Sequence, residues 1–277
     1  GWPLAGWLQS TPLIYHVSDD YLTSGYGGNN SRDRERRIVE AADHIVVVSE
    51  ELGNLISTRY GFNKDDITVV PNALPKSWIP PKPLRRPSEV PALKDSLERP
   101  IIGVIGNIGE AIDLAGVRHI AKKTSDLNYV FVGPDKVKSK ENKKLLRELN
   151  STENCYFIGR KPYDKLPEYA KSFDAFLMPY IHGDRLPASS PVRFFTQLPF
   201  GAPIIAMGDC RQLRKYEPLV YNCSGAEEVV GLLDRLSQVD FDDGYRRRRW
   251  ETAQNETWDK RADDMIDVIK KVSKKHD

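Results

Sequence analysis

The sequence predicts an α/β protein built on parallel sheets with helices wound over both faces, and three observations carry that reading. Short apolar runs of three to five residues, each closing on a turn or polar residue, alternate with helical stretches along the chain. The alternation stops once, from Pro75 to Pro100, where the composition shifts to Lys, Arg and Ser; eight prolines (Pro71, Pro75, Pro80, Pro81, Pro83, Pro87, Pro91 and Pro100) fall between Pro71 and Pro100. The length, 277 residues, allows two units that each bury a core. The expected division is therefore 1–78, a linker at 79–99, a second doubly wound domain at 100–245, and a C-terminal helix at 246–277 packing back across both.

Leu13 to Val17 is the first strand, ending in Ser18-Asp19-Asp20. A Gly/Asn-rich stretch from Ser24 to Ser31 follows, with the composition of a mobile loop, then a charged helix through Glu40. His44 to Val48 is a second buried strand, Ser49 caps a helix beginning at Glu50, Gly61 stops it, and Ile67 to Val70 is a third strand running into Pro71-Asn72. After the linker the rhythm restarts. Strands are expected at Ile101–Ile105, Tyr129–Val132, Cys155–Ile158, Ala175–Met178 and Pro203–Ala206, with helices at Leu114–Lys123, Lys140–Leu149, Leu166–Phe173 and Val192–Leu198. One long final helix, about Arg246 to Val272, carries Trp250, Ala253, Trp258, Ala262, Met265, Ile266 and Ile269 as a stripe that must be packed.

Composition narrows the class. Forty per cent apolar and 29% charged residues describe a globular protein. No apolar run reaches the roughly 20 residues of a membrane span, and no signal-peptide pattern opens the chain, so a cytoplasmic location is expected. Cys155, Cys210 and Cys223 are odd in number and widely spaced, which predicts reduced thiols rather than disulfides or a zinc site. A net charge of +2 gives no reason to expect a nucleic-acid partner. The basic clusters at Arg32–Arg37, Arg246–Arg249 and Lys270–Lys275 fit solvated faces, phosphates or anionic lipid.

In open parallel sheets ligands bind beyond the carboxyl ends of the strands. Gly106-Asn107-Ile108-Gly109 follows the first strand of the second domain, where glycines allow backbone N–H groups to approach an anion; alone it is equally an ordinary turn. The stronger constellation lies between Ser189 and Pro203. Ser190 stands at an N-cap position, Pro191 suits the first helical position, and Arg193 projects from the first turn. Dipole, hydroxyls and a guanidinium there match a diphosphate, although a Ser-Pro start and an Arg paired with a neighbouring acid would read the same way.

At this point the residues resemble the GT-B glycosyltransferases, especially a family-4-like branch that includes teichuronic-acid glucuronosyltransferases. Ser49-Glu-Glu-Leu52 through Val69-Val-Pro-Asn72 is similar to the end of that family's N-terminal domain, and Ile102 to Gly106 with Asp113 to the start of its C-terminal domain. Gly159-Arg-Lys-Pro-Tyr163, Leu166-Pro167, Phe173-Asp174 and Pro179-Tyr180 follow in the family's order, and Ser190-Pro-Val-Arg193 to Pro203 resembles S-P-x-K-x-x-E-Y-x-A-x-G-x-P. The resemblance implies two Rossmann-like domains, the first only partly present, with about one hundred residues of an ordinary domain lying upstream. It also implies transfer of a sugar from a nucleotide sugar, most simply a UDP-sugar, to a glycan or lipid-linked acceptor in polysaccharide or glycoconjugate synthesis.

By the same resemblance Arg193 meets the donor diphosphate with Ser189 and Ser190 beside it. Gly106, Asn107 and Gly109 face the phosphates, and Arg160 and Lys161 with Pro162 flank the nucleobase. A cationic clamp of this kind requires neither metal nor other cofactor. Thr196 stands where the family has a Glu on the ribose. A uronic-acid donor would bring Arg185 or Arg211 into play. Asp19, Asp20 and His182 are the candidates for catalytic contact, the two aspartates being equally able to cap a turn; His16 is expected in the core. Trp2 and Trp7 suit either a core edge or peripheral membrane contact at the inner face. A non-catalytic nucleotide-binding scaffold and a sugar-nucleotide 2-epimerase of the same architecture are the rival functions.

Overall fold

The computed structural model describes residues 11–23, 30–84, 97–98, 100–183 and 188–274. Three strands, β1 (Ile14–Val17), β2 (His44–Val47) and β3 (Ile67–Val69), pair in parallel in that order. Helix α1 (Ser31–Ala41) connects the first two and α2 (Glu50–Tyr60) the last two. Every residue of β2 is buried, as expected of a central parallel strand covered on both faces. α2 has the expected ends: Ser49 Oγ accepts the Leu52 N–H at 3.1 Å, and Gly61 turns the chain out with φ 71°.

The second sheet holds six parallel strands: β4 (Ile101–Ile105), β5 (Asn128–Val132), β6 (Cys155–Gly159), β7 (Ala175–Pro179), β8 (Ile204–Met207) and β9 (Tyr221–Cys223). Their order is β6-β5-β4-β7-β8-β9. The helices are α3 (Leu114–Lys123), α4 (Lys140–Asn150), α5 (Leu166–Ala170), α6 (Val192–Gln197) and α7 (Ala226–Ser237). Successive residues of β4 feed opposite cores. Ile101 and Ile105 join Val130, Phe176 and Phe194, while Ile102 and Val104 join Val117, Phe131 and Leu233. From β4 the chain winds outward through β5 and β6, then returns to lay β7, β8 and β9 on the other side. The order reverses between β4 and β7, and a doubly wound sheet opens its ligand crevice at that point.

Several expectations need correction. The sequence predicts five strands here and there are six; β9 spans three residues, too short to show a period of its own. The final helix is two helices, α8 (Arg246–Ala253) and α9 (Trp258–Ser273). They break where Leu74 inserts its backbone, donating to Glu256 O at 3.0 Å and accepting from the Trp258 N–H at 3.0 Å, while Thr257 caps α9. The stripe is also rotated from the expected one: Val268 and Val272 are buried against Val46 and Val70, whereas Trp258, Ile266 and Ile269 are exposed. His16 is exposed rather than in the core.

The basic cluster at 246–249 is partly internal. Arg249 is fully buried and binds Asp243, Leu219 O and Gly201 O. All three cysteines are free and buried; burial pushes Cys155 and Cys223 up to about 12 and Cys210 to about 11, so they stay as inert thiols. No helix among the described residues is long and apolar enough to cross a membrane.

Candidate active site

The crevice beyond β4 and β7 is made by two loops. The first, residues 106–113, leaves β4. Its opening glycine has φ 116°, and a Cβ there would lie 2.7 Å from Arg193 Nε, so Gly106 is the residue over which the guanidinium can lie flat. Gly133, at the end of β5, backs the same turn: a Cβ on it would stand 2.0 Å from Gly106 O. The loop is fastened to the chain after β5 by Ile108 N–H to Pro134 O at 3.0 Å and Lys136 N–H to Ile108 O at 2.7 Å. Gly106 N–H is taken up by Val132 O at 2.9 Å. Ile112 N–H goes to Gly109 O at 3.0 Å, so Asn107, Gly109, Glu110 and Ala111 are the loop residues whose N–H groups make no backbone hydrogen bond among the described residues.

The loop's far end is equally fixed. Asp113 Oδ1 caps α3 through the Gly116 N–H at 2.8 Å, and Asp113 N–H donates to Pro179 O at 2.8 Å. Glu110 reaches the start of α4, accepting from Lys138 N–H at 2.6 Å, Ser139 N–H at 2.9 Å and Asn142 Nδ2 at 2.7 Å. These bonds, Ser139's N–H first, hold its carboxyl at about 2. The positive end of α4 is thereby taken by a carboxylate of the protein.

Arg193 comes from the second loop and the helix after it. Its Nη2 donates to Asn107 O at 2.5 Å, and its guanidinium carbon sits 5.5 Å from the ring centroid of Tyr180, which follows β7. Its Nη1 is sealed from solvent and has no partner among the described residues. A buried guanidinium nitrogen with nothing to donate to is costly. It lies at the sheet's switch point, where it is free to donate.

The remaining sequence-predicted residues separate into three groups. Near Arg193, Thr196 turns its hydroxyl back onto its own helix, 3.0 Å from Val192 O and 3.1 Å from Arg193 O, which leaves it an acceptor only. Ser190 does not cap α6, since Pro191 occupies the N-cap position; its Oγ accepts the Asn72 N–H at 3.1 Å instead. Ser189 lies beside Cys210, 3.8 Å between Oγ and Sγ. Further along the same carboxyl edge, Arg160 is exposed after β6 and Lys161 stands over the Tyr169 ring at 5.8 Å. His182, exposed in the loop after β7, donates from Nε2 to Ser224 O.

The third group belongs to the first sheet. Asp20 is 3% exposed and bound by Arg59 through both guanidinium ends, at 2.9 and 3.0 Å, with Thr23 and the Leu22 N–H adding to it. Burial alone would raise its carboxyl, but Arg59, Thr23 and the Leu22 N–H outweigh it and hold Asp20 below the usual range. That geometry makes Asp20 a structural carboxylate rather than a base. Asp19 is half-buried beside it. Arg211 is engaged by Asp209 at 3.3 Å. Arg185, Trp2 and Trp7, and most of the Gly/Asn-rich stretch, lie outside the described residues. Reading the sequence missed Tyr180 as the ring under Arg193, Asn72 as the partner of Ser190, and Lys136 as an exposed cation whose Cβ lies 3.5 Å from where a Gly109 Cβ would be. Lys136 reaches the GxxG loop from the chain after β5, Tyr180 follows β7 and Asn72 follows β3, so each meets its partner in space and not along the chain.

Comparison with known proteins fits this architecture. The family model for Glycosyltransferase Family 4 matches residues 2–78, and that for Glycosyl transferases group 1 matches residues 93–192. Two glycosyltransferase family models thus match successive parts of the chain, and its fold is that of the two-domain GT-B structures. A putative teichuronic acid biosynthesis glycosyltransferase, TuaH of Bacillus subtilis (strain 168), is 21% identical over 271 residues, covering 93% of this chain and 67% of the relative. Among solved structures, sucrose-phosphate synthase from Thermosynechococcus elongatus superposes with a TM-score of 0.76 at 15% identity, over 98% of this chain and 70% of that one. Anabaena HepE in complex with UDP and glucose gives 0.65 at 13% identity, over 96% of this chain and 71% of that one.

Proposed function

We propose that this chain transfers a sugar from a UDP-sugar to a glycan or lipid-linked acceptor, with the donor diphosphate lying over Asn107–Gly109 and against Arg193. The observation that carries the reading is the unpartnered, buried Nη1 of Arg193 at the β4/β7 switch point. As the bond from the sugar's anomeric carbon to the diphosphate breaks, negative charge gathers on the departing phosphate oxygen. A guanidinium already fixed by Asn107 O and Tyr180 stabilises that charge without reorganising. In this reading Arg193 supplies the positive charge, and turnover persists in EDTA. Asn107 and Gly109 add backbone donors, and Arg160 and Lys161 stand at the nucleobase end of the carboxyl edge. Asp19 and His182 are the groups left to meet acceptor or donor sugar.

Solved relatives support the donor class, since Anabaena HepE is described with UDP and with UDP-glucose. The Bacillus relative supports polysaccharide synthesis as the setting. A cytoplasmic location, peripheral to the membrane where the acceptor is lipid-linked, goes with this reading. The test is UDP or GDP release from a panel of UDP- and GDP-sugars, with and without glycan acceptors. UDP release that depends on Arg193 is expected. No release from any donor sinks the proposal, and epimer interconversion without acceptor points to a 2-epimerase.

A further inference from the structure

The segment that delivers Arg193 is held by the other half of the molecule. Ala188 O accepts from Ser49 Oγ at 2.6 Å, and that hydroxyl also accepts the N–H that starts α2, so the contact is locked to a helix end. Ala188 itself is buried among Val17, Val48 and Leu52, in the core of the three-stranded sheet. Two residues on, Asn72 takes Ser190 from both sides: its N–H donates to Ser190 Oγ at 3.1 Å and its Nδ2 to Ser190 O at 2.6 Å. Gln212 Nε2 adds a third crossing, to Val48 O at 2.8 Å. Ser49, Ser190 and Gln212 are all nearly or fully buried, where hydrogen bonds specify geometry and cannot be exchanged for water.

Asn72 is itself fixed, because Pro71 O accepts from Arg261 Nε at 3.1 Å, a side chain of α9 that also pairs with Glu256. From Ser190 the chain passes through Pro191, φ −69°, into the first turn of α6 and Arg193. A proline and a helical turn form a stiff connection. The guanidinium therefore takes its position from a side chain on the opposite half.

We infer that Asn72 is a positioning residue for the donor site: it clamps Ser190 so that Arg193 is held over Gly106 and Asn107, and it makes that placement depend on how the two halves are joined. The inference rests on the donor-site reading above and adds the residue that sets it. The Asn72–Ser190 pair does not touch the phosphates in this account; it acts through Arg193.

The experiment is UDP titration of the intact chain carrying Asn72→Asp, Asn72→Ala, Ser190→Ala, Arg193→Ala and the Asn72→Ala/Arg193→Ala pair, with thermal unfolding followed in parallel. Asn72→Asp keeps size and the backbone bond but sets a carboxylate against Ser190 O. It is expected to weaken UDP binding about tenfold, the effect of removing one buried hydrogen bond. The double variant is expected to bind no more than about twofold weaker than Arg193→Ala alone, because both changes remove one interaction. Ser190→Ala, which loses a single acceptor, is expected to fold and to show a smaller loss of the same kind. Wild-type UDP affinity in Asn72→Asp and Ser190→Ala, or losses that multiply in the double variant, overturn the inference while Arg193→Ala remains impaired. Unchanged affinity in Arg193→Ala overturns the donor-site reading itself.

Discussion

Arg59 and Arg193 are both partly buried arginines, and they are treated in opposite ways. Arg59 is saturated: Asp20 takes both ends of its fork, Glu35 accepts at 3.4 Å, and Tyr60 and Tyr15 donate to that same Glu35. Arg193 has one carbonyl, one aromatic face and one nitrogen without a partner among the described residues. A closed network contributes to stability and leaves nothing to recognise. An open one gives up stability and keeps a charge available, as binding sites commonly do.

The sharpest way to break that contrast is to remove each arginine. Arg59→Ala strands two carboxylates, Asp20 and Glu35, that are both at most 5% exposed. Loss of about 3–5 kcal/mol of stability is expected, read by urea unfolding, with UDP affinity of the folded fraction unchanged. Arg193→Ala is expected to do the reverse. UDP binding weakens about 30-fold or more, as for a truncated partner in a desolvated charge pair, while the unfolding midpoint stays level or rises. A large stability loss at Arg193 with intact UDP binding would make the two sites alike.

Gly106→Ala falls between them. Its φ of 116° and the 2.7 Å approach to Arg193 Nε mean that the new methyl strains the backbone and displaces the guanidinium. The strain costs about 1–3 kcal/mol, and UDP affinity drops by less than in Arg193→Ala. Acid sharpens the comparison differently. Glu110 is held at about 2 instead of 4.5, so its tether is complete above about pH 4.5 and is lost as pH falls from there towards 2. Asp20 is shifted in the same direction. Wild-type stability should therefore decline more steeply than that of Glu110→Gln between pH 5 and 3, measured by urea unfolding at stepped pH. The smallest effect is expected at Thr196→Ala, whose hydroxyl serves its own helix: UDP affinity within about twofold of wild type.

Local chemistry made much of this molecule legible from residues alone. Ser49, Gly61 and Asp113 act over four residues or fewer, and helix ends of that kind can be read from neighbours in the chain. The strand alternation and the loop after β4 are equally visible, and they suffice to locate the crevice. What escaped depends on residues far apart in sequence. Nothing near Asp20 announces Arg59, 39 residues on, and nothing near Ser190 announces Asn72, 118 residues back. The break between α8 and α9 is made by Leu74, which no helical periodicity registers. Ser190 reads as a cap because Ser-Pro begins many helices; the partner that reassigns it sits on the other half.

The central claim is that Arg193 is kept open for a phosphate-bearing leaving group, and calorimetric titration of the wild type and Arg193→Ala with UDP and with uridine tests it most directly. The account predicts that the wild type binds UDP far more tightly than uridine, and that Arg193→Ala abolishes most of that difference while leaving uridine binding alone. Equal UDP affinity in the two proteins, or a loss that falls on uridine as heavily as on UDP, would contradict it.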